Sequence, residues 1–280
     1  MFDFTDRDLK EPHEIRIIGA PFDGTVSFRP GARFGPAAIR DASDGVETYS
    51  PYLDSDLESI HYADAGDLEL PMGDTKSVLA IIRETVDECL NDDVIPFILG
   101  GEHLVTLPAV EMVYEKYPDL VVVQLDAHAD QREDYLGTEL SHACVMRRVS
   151  ELIGDENIRQ LGIRSGTKRE YEVMNSFGTL TTFRADDLDE LIEWIAERPV
   201  YLTVDLDVFD PACFSGTGTP EPGGIDWWTF NRFIKVMHAV DIVALDAVEL
   251  APMLDTSGCS SVLAAKAVRE MLLLAGSDIA

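Results

Sequence analysis

The segment Asp126-Ala127-His128-Ala129-Asp130 has the residue types and spacing of a metal site. Along an extended chain alternate residues share one side, so Asp126, His128 and Asp130 converge. They stand at the end of an apolar run, LVVVQL. A second pair, Asp205-Leu206-Asp207, ends the run PVYLTV and places two more carboxylates on one side. A third element, Gly100-Gly101-Glu102-His103, follows VIPFIL; its glycines suit a tight turn, and His103 starts the next helix. Each has a bland alternative, since an aspartate at a strand end commonly caps a helix. Uncompensated burial of DAHAD would be costly, however. Together the three elements offer two imidazoles and the carboxylates of Asp126, Asp130, Asp205 and Asp207. One divalent cation cannot readily use all six. Two such cations match four aspartates in charge, with aspartates bridging. Hard oxygens mixed with imidazole favour manganese over a structural zinc, and such a pair generates a bridging hydroxide at neutral pH. The expected cofactor is Mn²⁺, two per subunit.

The elements that must position these residues alternate along the chain. Short apolar runs predict strands at 14–20, 60–64, 94–99, 120–126, 157–162, 179–183, 200–205 and 241–249. Helical patterns lie between them, near 35–43, 75–91, 104–117, 142–153, 168–176, 187–197, 226–239 and 258–275. Continuously apolar strands indicate a sheet covered on both faces. The expected fold is α/β: a three-layer α/β/α sandwich with a mostly parallel sheet of about eight strands, in a single domain over 1–280. Sites in such sheets form outside the carboxyl ends of the strands, where all three elements fall.

Composition narrows the partners. The chain has 280 residues, with 22 Lys plus Arg against 52 Asp plus Glu, a net charge of −30. Nucleic acid and anionic membranes are excluded as main partners, because both need a basic face. At 46 % hydrophobic residues the chain can bury a core. Only six of the basic residues are lysine. Many acids and few lysines fit solubility in concentrated salt, where screening tames self-repulsion. The melting temperature is then expected to rise from dilute buffer to molar KCl; equal stability in both would refute the halophilic reading. The four cysteines are widely spaced without CxxC, so they read as small buried hydrophobes. The opening MFDFTDRDLKEPHE lacks the pattern of a signal peptide, and no apolar stretch reaches about 20 residues, so a cytoplasmic protein is expected. GTGTP lacks the P-loop lysine and implies no nucleotide.

Taken with their order, GGEHLVT, QLDAHAD, LTVDLDVFDPA followed by GTGTPEPGG, and ALDAVELAP resemble the ureohydrolase family, the arginases and agmatinases, over nearly the whole chain. The resemblance implies a binuclear manganese site and hydrolysis of a guanidino group to urea and an amine. By motif match, His103, Asp126, Asp130 and Asp205 would hold one ion; His128, Asp126, Asp205 and Asp207 would hold the other, with Asp126 and Asp205 bridging. Family members often have Asp where this chain has Glu102, which is not a ligand position. A metal-bridging hydroxide would attack the guanidinium carbon, with Asp130 orienting it or accepting its proton. His142 in LSHACVMRR would shuttle a proton to the leaving amine, and Glu249 in DAVELAP would pair with the substrate guanidinium. The segment QREDYLGTELS lacks the polar stretch with which arginases grip a carboxylate. Its Glu133, Asp134 and Glu139 are expected at the site mouth, where they would favour a cationic tail. SFRPGARFGPAAIRDAS also looks like the agmatinase branch. Agmatine, giving putrescine and urea, is thus the preferred small cationic substrate. N1-aminopropylagmatine follows closely, ahead of guanidinobutyrate and arginine. Arg29 and Arg33 line the mouth or form an inter-subunit ion pair. A homotrimer or homohexamer is implied. A non-catalytic binding subunit and an unrelated metal-dependent phosphatase remain as other classes.

Overall fold

The computed structural model describes Leu9 and residues 12–276; most of the opening MFDFTDRDLKEPHE, expected not to be a signal peptide, lies outside them. Eight strands form one sheet in the order β4 (Tyr62–Asp67), β1 (Ile15–Ala20), β5 (Ile95–Gly100), β10 (Ile242–Val248), β9 (Val200–Asp205), β6 (Val121–Leu125), β7 (Ile158–Leu161) and β8 (Leu180–Thr181). Every pairing within it is parallel.

Alternation along each strand feeds two cores. Val121, Val123 and Leu125 of β6 and Val200, Leu202 and Val204 of β9 face one core; Val122 and Tyr201 face the other. The first core is closed by α1 (Gly35–Ser43), α6 (Ala185–Ile195), α7 (Trp227–Met237) and α8 (Cys259–Ala275). The second is closed by α2 (Thr75–Asn91), α3 (Thr106–Lys116) and α4 (Val145–Ile153). The helix α5 (Lys168–Phe177) lies between β7 and β8 in the chain and is held by a full capping box, Thr167 with Glu170. This is the three-layer α/β sandwich expected from the alternating pattern.

Local differences have physical causes. The helices expected at 104–117 and 142–153 begin with single 3-10 turns, His103–Val105 and His142–Cys144, so both histidines precede the α-helix proper. The sheet-edge strand β8 shortens to two residues. A small antiparallel pair, β2 (Tyr49–Ser50) with β3 (Ser55–Asp56), carries no sequence signal long enough to predict. Cys89 and Cys144 are buried, but Cys213 is half-buried and Cys259 exposed, contrary to the uniform expectation.

The strand order positions the site. The chain lays down β1, β4 and β5, jumps to β6 through β8, and fills the gap with β9 and β10. Four contiguous central strands, β5, β10, β9 and β6, then aim their carboxyl ends at one place. That is the topological switch point at which open parallel sheets bind ligands.

Candidate metal centre and active site

Two groups that could hold a metal ion lie at these strand ends: His103, Asp126 and Asp205, and Asp126, His128 and Asp207. Asp126 belongs to both, one oxygen to each. Its Oδ2 lies 3.1 Å from His103 Nδ1, and its Oδ1 lies 3.6 Å from His128 Nδ1. Asp130 Oδ2 is 3.1 Å and Asp205 Oδ2 3.5 Å from His103 Nδ1. Asp207 Oδ2 stands 2.9 Å from His128 Nδ1. Despite these short distances, His103 Nδ1 and Asp207 Oδ2 are buried without a well-aligned hydrogen bond. Orphaned nitrogen and oxygen atoms amid buried carboxylates fit a hard divalent cation. All six sequence-predicted ligand residues are thus brought together.

The backbone achieves this differently from simple extension. β6 ends at Leu125, and the DAHAD segment is pinned by Ala129 N donating to Ser165 O (3.0 Å) and by Arg164 and Ser165 N donating to Ala127 O (2.9 Å each). Asp130 then adopts φ +50° and Glu249 φ +67°, the left-handed region. Such strain costs about 1–3 kcal/mol per residue and persists only where the surroundings over-determine it. At Gly101 a Cβ would overlap the Phe22 carbonyl, so only glycine permits the close approach there. Gly101 O in turn accepts from Glu249 N (2.8 Å).

Buried partners that the motif reading missed fix the ligands. His103 Nε2 lies 3.0 Å from Thr203 Oγ1, whose hydroxyl donates to Asp246 Oδ1 (2.7 Å). Thr203 must therefore accept from His103 Nε2–H, which leaves Nδ1 to face the carboxylates. Tyr201 and Thr106 hydroxyls donate to the other oxygen of Asp246. Asp205 Oδ1 accepts from Asp207 N, and Asp207 Oδ1 from Ala127 N. The available signal was a polar residue inside an apolar strand, spaced two from a ligand.

The buried histidines and carboxylates perturb one another strongly. Burial opposes a proton on His128, but Asp207 and Asp126 outweigh it and push the imidazole up to about 12. His103 is likewise raised, burial being outweighed by Asp126 and Asp130. Burial and then the Asp126 charge push Asp130 up to about 6. Burial and neighbouring carboxylates raise Asp205, Asp207 and Glu249, and burial takes Glu102 up to about 7. Each raised group binds its proton more tightly folded than unfolded. Stability is therefore full below the unfolded pKa and declines as pH rises toward the folded one: from 6.5 to about 12 for His128, and from 4.5 to about 7 for Glu102. Asp126, held low by the histidines despite burial, acts in the opposite sense, only in acid. In EDTA the protein should melt lower at pH 8 than at pH 6, by roughly 3 °C per pH unit for each such proton. Added Mn²⁺ should recover most of this at pH 8. An EDTA melting temperature equal or higher at pH 8 would contradict the charge balance described.

Beside these residues opens a cavity of about 210 Å³, whose lining includes His128, Asp130, Asp205, Glu249 and His142 together with Ser27, Arg132, Tyr135, Glu170 and Thr219. Glu249 Oε1 accepts from His103 N (2.9 Å). His142 sits with Nδ1 3.4 Å from Thr25 Oγ1 and Nε2 3.4 Å from Ser27 Oγ, its ring edge-on to Tyr135. Burial, aided by His103 and His128, lowers it to about 4. Glu102 accepts from Thr25 N and Thr25 Oγ1 and so anchors the loop that touches His142.

One expectation is corrected, and one of two alternatives falls away. Glu133, Asp134 and Glu139 do not line the cavity. Glu133 pairs with Arg169 (2.7 Å) and Glu139 with Arg148 (3.3 Å), and the first two lie on a neighbouring hollow. Arg29 and Arg33 do not line the cavity either. Arg29 donates to Thr217 O and Gly218 O, and Arg33 pairs with Asp23 of the same chain.

Fold and site together define an α/β protein with two histidine–aspartate groups able to hold a metal ion at its sheet switch point. Residues 13–274 match the arginase family. The agmatinase of Bacillus cereus is 46 % identical over 268 residues, covering 94 % of this chain and 92 % of that one. The N(1)-aminopropylagmatine ureohydrolase of Thermococcus kodakarensis is 40 % identical over 252 residues, 87 % and 85 % of the two chains. The crystal structure of the agmatine ureohydrolase of Thermoplasma volcanium matches with a TM-score of 0.84 at 34 % identity, over 94 % of this chain and 90 % of that one. The chain belongs to the arginase family.

Proposed function

We propose that the protein is a binuclear manganese hydrolase that cleaves agmatine to putrescine and urea. The observation that carries this reading is the pair of histidine–aspartate triads sharing Asp126 beneath a cavity that also presents Glu249 and His142. The names of relatives at 46 % and 40 % identity support an agmatine-like substrate; the loop acids no longer do. His103, Asp126, Asp130 and Asp205 would hold one Mn²⁺, and His128, Asp126, Asp205 and Asp207 the other. A bound pair lowers the pKa of water and so supplies a hydroxide nucleophile at neutral pH.

The chain's own residues supply the rest. Glu249, buried and held on strained backbone, meets the planar guanidinium with a carboxylate that the incoming cation keeps ionised. Asp130 orients the nucleophile or takes its proton. His142 carries a proton toward the leaving amine. Glu249→Gln keeps size and removes charge. It is expected to raise KM for agmatine and lower kcat/KM by about 10–150-fold, the 1.5–3 kcal/mol of a hydrogen bond to a charged group. A change below threefold would remove Glu249 from substrate binding.

The direct test is urea release from agmatine, N1-aminopropylagmatine, guanidinobutyrate and arginine with added Mn²⁺. Urea from none of them sinks the reading; faster release from aminopropylagmatine transfers the activity to the longer polyamine. We place the enzyme in the cytoplasm as a single domain over 1–280 that assembles as a homotrimer or homohexamer, with the halophilic charge on its surface. Among the described residues no helix is long and apolar enough to cross a membrane.

A further inference from the structure

We infer that a buried amide relay, Thr179–Gln160–Gln124, fixes the rotamer of Asp126 and so prepares its two oxygens for two cations; this rests on Asp126 being the bridging ligand. Gln124, Gln160 and Thr179 are fully buried. Gln124 Nε2 donates to Asp126 Oδ2 at 2.6 Å, on the oxygen that faces His103. Gln160 Nε2 donates to Gln124 Oε1 at 2.6 Å and to Ala129 O at 3.0 Å. Gln160 Oε1 accepts from Thr179 Oγ1 at 3.2 Å.

The polarity of this chain is forced. A backbone carbonyl only accepts, so Ala129 O requires the amino end of the Gln160 amide. That amino group then claims the carbonyl end of Gln124, which leaves the amino end of Gln124 for Asp126. The other oxygen of Asp126 accepts from His128 N at 2.6 Å. Each carboxylate oxygen thus has one fixed donor and one face left toward a histidine. Because Ala129 lies between His128 and Asp130, the relay also ties the ligand loop to the carboxylate it must align. An amide ladder serving packing alone had no need to end on the shared ligand. Gln124 and Gln160 are positioning residues: neither faces the cavity.

The test uses the full chain stripped of metal and titrated with MnCl₂ alone, reading the number of bound ions, their dissociation constants and the metal-free melting temperature. Gln124→Met should weaken at least one Mn²⁺ by about 10–100-fold, the usual effect of removing an outer partner of a metal ligand. Gln160→Met should weaken it less, because Gln124 remains but is free to flip. The double variant should bind no worse than Gln124→Met, since the two act in series. Wild-type Mn²⁺ affinity in Gln124→Met, even with a lowered melting temperature, overturns the relay, as do losses that multiply in the double variant. If Gln124→Met does not fold, Gln160→Met decides: unchanged affinity there overturns the proposal. A wild-type protein that binds fewer than two ions instead defeats the reading of the site itself, and the relay with it.

Discussion

Asp126→Asn is expected to empty the metal centre and lower kcat/KM for agmatine by about 10⁴-fold. The reason is a conflict of donors that no rotamer escapes. Asp126 Oδ1 accepts from His128 N and Oδ2 from Gln124 Nε2, each at 2.6 Å. An asparagine must turn its amino group toward one of them. It then sets donor against donor and removes a ligand oxygen from the triad on that side. Metal chemistry supplies several kcal/mol of transition-state stabilisation, and every 1.36 kcal/mol is tenfold in rate, so about 5 kcal/mol corresponds to the stated loss. The measurement is Mn²⁺ content per chain beside urea release. Two bound ions with activity within tenfold of wild type would show that Asp126 is not the shared ligand.

The strands of this fold were legible because continuous apolar, β-branched runs have few alternatives, and LVVVQL and PVYLTV end on their ligands. Their order in the sheet was not. Nothing local in IVALDAV says that β10 inserts between β5 and β9. The convergence of Asp126, His128 and Asp130 was also legible, although by a different route. Plain alternation fails at Asp130, where φ is +50°, and hydrogen bonds from the 164–165 segment hold the chain instead. Facing within a loop was beyond sequence. Glu133 and Glu139 are exposed beside Arg169 and Arg148, supplied by helices α5 and α4, and are not among the residues that line the cavity. Gln124 and Asp246 could have been noticed as polar interruptions of apolar strands, but their targets depend on strand neighbours that only the sheet order reveals.

His142→Asn should lower kcat by about 10²–10⁴-fold, the usual worth of a positioned acid–base group, while leaving KM within a few-fold and Mn²⁺ content unchanged. The product amine must gain a proton to leave, and the cavity offers few groups able to deliver one. Glu249 is committed to His103 N and, by the reading above, to the guanidinium. Asp130 faces His103 Nδ1. His142 is free of such ties. Its nitrogens meet only hydroxyls: Thr25, whose proton goes to Glu102, and Ser141 at Nδ1, and Ser27 at Nε2; the two serine hydroxyls can donate or accept as the tautomer requires. Burial and the nearby positive centres hold it to about 4, so it is neutral at working pH and can take a proton on one nitrogen while releasing one from the other. Asparagine fills much of the same space and hydrogen-bonds but does not titrate. Partial recovery of His142→Ala by added imidazole would locate the defect in proton transfer. A kcat within fivefold of wild type in His142→Asn would assign that step to water reaching the cavity past Ser27 and Tyr135.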